Sequence, residues 1–163
     1  MKQAVAWVFA IVAWACAPAF AAGGVPTAQD LSRDGALAKQ MNGVVLVLFS
    51  ADYCRYCETV LHDYLEPMSR LADYQGKVVM RKVEISSYDA MKDFQGNKTP
   101  QRHFAGDTGV RMVPTVAVFD GQGRMLAKPV VGLSIPDYYG QYLDDAIQLG
   151  LEKVRGKRAP NKQ

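Results

Sequence analysis

The unbroken aliphatic run Val44-Val45-Leu46-Val47-Leu48-Phe49, followed across Ser50-Ala51-Asp52-Tyr53 by Cys54-Arg55-Tyr56-Cys57, constrains this chain more than any other feature. A strand that is apolar without alternation is covered on both faces, so the chain must supply helices to both sides of a sheet. The residues after it must then hold two thiols. Cysteines separated by two residues close a disulfide only when their Cα atoms come within about 4.4–6.8 Å, and the first turn of a helix after a strand brings them there. Unpaired amides at a helix N-terminus favour negative charge, and Arg55 adds a cation, so Cys54 is expected to ionise more readily than a free cysteine. The pair reads as a redox centre.

The start of the chain reads as an export signal. Lys2 is the only charge before Asp30, residues 4–17 are almost wholly apolar, and the stretch is too short for a comfortable membrane span. Ala19 and Ala21 in Pro18-Ala19-Phe20-Ala21 suit signal peptidase, which places cleavage after Ala21 and the mature protein in the periplasm. A lipid-modified Cys16 is the rival reading, but Ala13-Trp14-Ala15 lacks the aliphatic residue expected three positions upstream. An uncleaved anchor is the third.

Removing residues 1–21 of the 163 leaves 142, and it also removes Cys16. The remaining cysteines form one closely spaced pair in an oxidising compartment, which leaves no structural disulfide framework. With 49% hydrophobic residues a chain of this length buries a core as one domain without help from a metal. Residues 152–163 carry a net charge of +4 and residues 22–151 a net charge of −2, so the basic character sits in the end of the chain. That distribution describes a solvated tail and gives no sign of nucleic-acid binding. The expected organisation is a signal peptide (1–21), a linker (22–27), one domain (28–151) and a basic flexible tail (152–163).

Hydrophobic spacing predicts a helix over 30–41, weakened by Gly35 and closed by Asn42-Gly43, before the buried strand. The thiol-bearing helix shows Val60, Leu61, Tyr64 and Leu65 on its buried side, and Pro67 is expected to end or kink it. Residues 78–85 read as a second strand, and 86–98 as a long polar loop with a short helix. Thr99-Pro100 reads as a new helix start, the hydroxyl capping it. Residues 116–126 read as a β-hairpin about Asp120-Gly121-Gln122-Gly123, and Ser134-Ile135-Pro136-Asp137 as the start of a last helix with Tyr139, Tyr142, Leu143, Ala146, Ile147 and Gly150 on its apolar face. The order α-β-α-β-α-β-β-α describes a single α/β layer structure.

Strand, CxxC at a helix start, second strand, then Gly109-Val110-Arg111-Met112-Val113-Pro114-Thr115 before a hairpin and a final helix resembles the thioredoxin superfamily over residues 28–151. Through Phe49-Ser50-Ala51-Asp52-Tyr53-Cys54-Arg55-Tyr56-Cys57 it resembles exported bacterial thioredoxin-like proteins of the SoxW-like type. The resemblance implies a single domain with a central mixed sheet flanked by helices. It also implies a cis Pro114 against the disulfide, with Val113 offering its backbone to an extended substrate. Cys54 then attacks a substrate disulfide, and Cys57, one turn deeper, resolves the mixed disulfide. Arg55 and Tyr56 stand where Gly-Pro is common, and a cation there stabilises the Cys54 thiolate and makes the centre more oxidising.

One further departure from that pattern stands out. Cytosolic thioredoxins carry a buried carboxylate six residues before the first thiol, where this chain has Leu48, with Lys82 matching the lysine that neighbours it. Glu84 is the nearest acidic candidate for proton transfer, read as an exposed strand residue. A four-ligand zinc site would need both His62 and His103, and neither has a paired spacing with the cysteines, so they read as ordinary helix residues.

The expected function is a periplasmic thiol–disulfide oxidoreductase, reducing protein disulfides as a monomer with no cofactor or metal, and kept reduced by a membrane thiol-transfer protein. A disulfide-forming oxidase is the nearest alternative, although residues 86–112 are too few for the usual helical insertion. A copper metallochaperone using the same thiols is the alternative from another class, although no Met-x-x-Met cluster is present.

Overall fold

All seven residues of β1 (Val44–Ser50) are buried in the computed structural model, which describes residues 24–156. The strand lies parallel to β2 (Val78–Glu84), with Val44 opposite Val78 and Ser50 opposite Glu84. On its other side β5 (Thr115–Phe119) runs antiparallel, pairing Val45 with Phe119 and Phe49 with Thr115. A short β6 (Val130–Val131) extends the sheet beyond β5, giving the order β2-β1-β5-β6.

Alternate side chains of β1 point to opposite faces, and each face has its own helices. Leu46 and Leu48 join Val116 and Val118 under the thiol-bearing helix and under α5 (Pro136–Gly156). Val45, Val47 and Phe49 join Ala117 and Phe119 against α1 (Leu31–Met41) and α4 (Gln101–Asp107). The expected architecture is therefore present: an α/β domain whose central mixed sheet has helices on both faces.

α1 begins where the Asp30 carboxylate accepts the Arg33 N–H at 3.1 Å and ends at Asn42, which takes the left-handed conformation at φ 52°. Gly35 is there because a Cβ would lie 2.6 Å from the Gly121 carbonyl oxygen, so the residue that weakens the helix also lets it approach the β5 turn. Asp34, one residue earlier, is buried and holds the Arg81 guanidinium of β2 through both oxygens, at 2.5 and 2.9 Å. Burial is the main influence on the Asp34 carboxyl and raises its pKa, with Arg81 opposing.

The thiol-bearing helix does not stop at Pro67. α2 (Arg55–Thr59) passes through a π-helical turn (Val60–Leu65) into α3 (Glu66–Arg70). The Glu66 N–H bonds to Leu61 O, five residues back, and Pro67 falls in the first turn of the restarted α register. Its missing N–H is tolerated there, as at any helix start.

The stretch 86–98 holds a second sheet in place of the expected loop with a short helix. β3 (Ala90–Lys92) pairs antiparallel with β4 (Lys98–Pro100), Met91 opposite Thr99. Of the apolar residues scattered through this polar stretch, Met91 and Phe94 point inward, whereas Tyr88 is exposed. Met91 is buried, and Phe94 lies 6.1 Å from Phe104 and 5.4 Å from Phe119, ring centroid to centroid. The Asp93 carboxylate forms the turn by accepting the N–H groups of Gln95 and Asn97. Thr99 is consequently a strand residue and caps nothing; α4 starts at Gln101 with Pro100 at the cap position and no side-chain cap. Gln101 is anchored instead through its side-chain oxygen, which accepts the Glu84 N–H at 2.8 Å.

The expected hairpin over 116–126 forms its turn but not a full ladder. Asp120 accepts from the N–H groups of Gln122 and Arg124, after which a single bridge joins Phe119 to Met125. Regular pairing resumes only at Val130–Val131, beyond Pro129, which has no N–H to contribute. On α5 the buried residues are Tyr139, Leu143, Ile147, Gly150 and Leu151, whereas Tyr142, expected inside, is 44% exposed. The helix also runs to Gly156, into the stretch read as tail, because Leu151 is buried and Lys153 Nζ reaches Leu126 O at 2.6 Å. At the other end, the residues read as linker lie partly along β2: Lys82 N–H donates to Pro26 O and Ala28 N–H to Lys82 O, with Val25 buried. The expected signal peptide (1–21) and residues 157–163 of the tail lie outside the described residues.

Gly35→Ala is expected to destabilise the protein by about 1–2 kcal/mol in urea denaturation, the backbone clash outweighing the gain in helix propensity of about 1 kcal/mol. A second expectation concerns acid. The Ser32 hydroxyl, then Lys92, hold the Asp30 carboxyl down to about 2. A carboxyl with a depressed folded-state pKa stabilises above its unfolded value of about 3.9 and loses that contribution as pH falls toward its folded value. The thermal midpoint of Asp30→Asn should therefore fall less between pH 5 and pH 2 than that of the parent.

Candidate active site

β1 delivers the chain to its open end at Ser50, and Tyr53, in the left-handed region at φ 60°, turns it into α2. Cys54 then occupies the N-cap of α2 in extended conformation, with its Sγ accepting the Cys57 N–H at 3.2 Å. The spacing puts the Cα atoms 5.2 Å apart, and the two sulfurs are joined in a disulfide. Cys54 is half-buried and Cys57 is 1% exposed, so one sulfur faces the approach and the other faces the core. A helix N-terminus and a donated N–H both favour the thiolate at Cys54 once the bond is opened.

Strand register brings a second loop to the same end of the sheet. Phe49 of β1 lies opposite Thr115 of β5, which lies opposite Val131 of β6. The residues before Thr115 therefore arrive beside those that follow Phe49. The Val113-Pro114 peptide bond is cis, Pro114 is buried and Val113 is half-buried. Thr115 Oγ1 donates to Met112 O at 2.7 Å, and Gly132 N–H donates to Pro114 O at 2.8 Å, bracing the loop from both sides. Val113 N–H and C=O take no hydrogen-bond partner among the described residues.

Arg55 and Tyr56 are both exposed, and Arg55 forms no ion pair with a described residue. Beneath the helix, Leu48 is fully buried. Lys82 lies opposite it on β2, and its Nζ is 2.9 Å from Glu84 Oε1. Glu84 is not the exposed residue expected: its side chain is 17% exposed, and its Oε2 is buried without a hydrogen-bond partner. By strand register Glu84, Lys82, Ser50 and Leu48 share the face on which the thiol-bearing helix packs. Alternation along residues 78–85 could not place that face because Lys82 and Glu84 sit inward where the sequence is polar.

His62 is exposed, its Nε2 3.0 Å from Glu58 and its Nδ1 3.2 Å from Glu66. The hydrogen bond that the ring donates to the Glu66 carboxylate is the main cause that raises its pKa, with Glu58 adding to it. His103 is exposed on α4. Sequence reasoning missed the two braces of the 112–114 loop. A threonine directly after Val-Pro was the available signal for the first; the second depends on β6 pairing, which the sequence does not mark.

A family profile described as a thioredoxin-like domain matches residues 31–147. Among solved structures the chain is similar to the thioredoxin Mala s 13 of Malassezia sympodialis, at 23% identity over 79% of this chain and 92% of that one, with a TM-score of 0.51. It is also similar to the long form of thioredoxin f from spinach chloroplast, at 18% identity over 78% of this chain and 87% of that one, with a TM-score of 0.53. A mutant thioredoxin from Halobacterium salinarum NRC-1 matches at 23% identity over 78% and 95% of the two chains, with a TM-score of 0.50. These similarities concern the fold. No curated protein matches the sequence.

After reduction, iodoacetamide should modify Cys54 at least about tenfold faster than Cys57, because alkylation requires both thiolate character and access. Quenched time points and peptide mapping give the two rates, and equal rates would contradict the assigned asymmetry.

Proposed function

Because the chain belongs to the thioredoxin-like domain family and carries the disulfide of a thiol–disulfide oxidoreductase, we propose that it is exported to the periplasm and reduces disulfides in other proteins there. The observation that carries the reading is the placement of a half-buried Cys54 at a helix N-terminus, at the same sheet end as a Val113 whose backbone groups are unpartnered. An extended substrate segment lies along Val113 and presents its disulfide to Cys54.

In the reaction, the Cys54 thiolate attacks one substrate sulfur, forming a mixed disulfide and releasing the other substrate sulfur as a thiolate that takes up a proton. Cys57 loses its proton and attacks Cys54 Sγ. The Cys54–Cys57 bond forms, the substrate leaves as a dithiol, and two electrons have passed to it. The domain returns to its dithiol state by the reverse exchange with a donor, for which a membrane thiol-transfer protein is the proposed source. Arg55 favours the Cys54 thiolate, which raises the potential, while its exposure lets solvent screen much of that effect.

Large apolar side chains exposed near this end, among them Tyr53, Tyr56 and Met112, support a protein substrate over a small thiol. The reductive direction is supported by the stretch 86–112, which holds a hairpin and the short α4 in place of a helical insertion.

Equilibration with glutathione is expected to give a potential below about −200 mV, and Arg55→Ala to lower it by on the order of 20 mV. Cys57→Ser should accumulate mixed disulfides at Cys54 in periplasmic extracts, visible as adducts lost on reduction. A potential at the oxidising end would reverse the direction, and tight Cu(I) binding without disulfide reduction would replace the whole reading with copper transfer.

A further inference from the structure

On the β2 side of the thiols the chain leaves the sheet through Ser86-Ser87-Tyr88-Asp89 and, after the β3–β4 hairpin, returns in α4. There the Arg102 guanidinium lies over the Tyr88 ring, 4.5 Å from its centroid, and Arg102 Nη1 donates to the Tyr88 hydroxyl. We propose that this stack is a carboxylate-recognising subsite, which binds an Asp or Glu side chain of the substrate protein close in sequence to the disulfide under attack. The inference rests on the reductase reading and adds to it a preference for acidic segments.

The stack stands at the thiol end of the sheet. Glu84 lies opposite Ser50, and Ile85 N–H donates to Ser50 O at 2.8 Å, so residues 86–89 leave β2 where Ser50 leads on to Cys54. Three bonds fix the start of α4 to the same place. Glu84 N–H donates to Gln101 Oε1 at 2.8 Å, Gln101 N–H to Asp89 O at 3.0 Å and Arg102 N–H to Ser87 O at 3.0 Å. With strands in the order β2-β1-β5-β6, a segment lying along Val113 at the end of β5 passes the thiols beyond β1 and, continued, reaches the end of β2. Strands are about 5 Å apart and an extended chain advances about 3.3 Å per residue, so the carboxylate belongs a few residues from the attacked cysteine.

The guanidinium is also available. Arg102 is exposed, Tyr88 is 71% exposed, and Arg102 forms no ion pair with a described residue, neighbouring Asp89 included. Arg81 and Arg124, by contrast, each hold a carboxylate of their own chain, Asp34 and Asp120. Residues 22–151 carry a net charge of −2, so an unpaired cation here is not the product of a basic surface. Stacking on the ring holds the planar guanidinium in one orientation, and the N–H groups not taken by Tyr88 form the fork that a carboxylate matches, with less side-chain entropy to lose on binding. Arg55, exposed and unpaired between the thiols, adds to the positive field that an acidic segment meets on approach.

The test uses disulfide-linked peptides of Gly and Ser in which a single Glu, or a Gln as its neutral counterpart, is walked through the positions on either side of the attacked cysteine. For the full-length protein at low ionic strength, the Glu peptide should exceed the Gln peptide in kcat/KM by about fivefold at one position, the upper end for an exposed ion pair, with the gain in KM. In Arg102→Gln that ratio should fall to about one, and high salt should reduce it in the parent. Comparison with Arg102→Gln also removes any effect of Glu on the reactivity of the peptide disulfide itself. Tyr88→Leu, which leaves the charge but not the stack, should lose most of the preference. Arg155→Gln, which removes the same charge beside Asn42 at the opposite end of the sheet, should keep it. A ratio of about one at every position, an equal preference at all of them, or a preference that survives Arg102→Gln or Tyr88→Leu would overturn the subsite and leave the reductase reading intact. Failure to reduce any peptide would overturn both.

Discussion

The antiparallel ladder between Val45–Phe49 and Thr115–Phe119 is the constraint on which the site depends. Neither the thiols nor the Val113-Pro114 loop has a neighbour of its own chemistry in the sequence. They meet because one end of a strand pair is common to both: Phe49 leads outward to Cys54, and Thr115 is reached inward from Pro114. Backbone bonding sets this register, and the buried faces hold it. A slip by one residue would move Leu46 and Leu48 from one helical layer to the other, together with every side chain between them.

Burial then decides how the two sulfurs differ. Cys57 is buried on the same side of the helix as Val60 and Leu61, which pack with Leu48, while Cys54 sits one turn earlier at the cap, where no preceding helical residue covers it. The π-helical turn that follows keeps the helix intact through Pro67, so the thiols stand on one rigid element and not on a segment that ends after two turns. Rigid support is what a two-step exchange between closely spaced sulfurs requires. On the opposite side, Thr115 Oγ1 and Gly132 N–H hold the 112–114 loop by its carbonyls, and the Val113 N–H and C=O have no hydrogen-bond partner among the described residues.

The layer order, the buried central strand, the thiol pair and the Val-Pro-Thr motif were legible because each has a local cause: an aliphatic run, a fixed spacing, a turn residue. The β3–β4 hairpin was not. Its inward residues, Met91 and Phe94, are separated by polar ones and become apolar contacts only when Phe104 and Phe119 arrive from elsewhere. Glu84 and Lys82 misled in the opposite sense, since an ion pair at 2.9 Å between Lys82 Nζ and Glu84 Oε1 occupies an inward face that periodicity assigns to apolar residues, even with Glu84 Oε2 left without a partner. Gly35 read as a weak point in a helix, and its reason lay in the Gly121 backbone, far away in sequence.

By itself the sequence determined that a strand covered on both faces runs into a helix start holding two thiols at disulfide spacing, because periodicity, spacing and capping act over a few residues. Only the tertiary structure decided which groups stand around those thiols: the half-buried Glu84 on the shared face, the unpartnered Val113 backbone and Arg102 stacked on Tyr88. Those depend on strand register and on contacts between distant segments. Such contacts are settled by the simultaneous packing of two sheet faces, which no local stretch of the chain encodes.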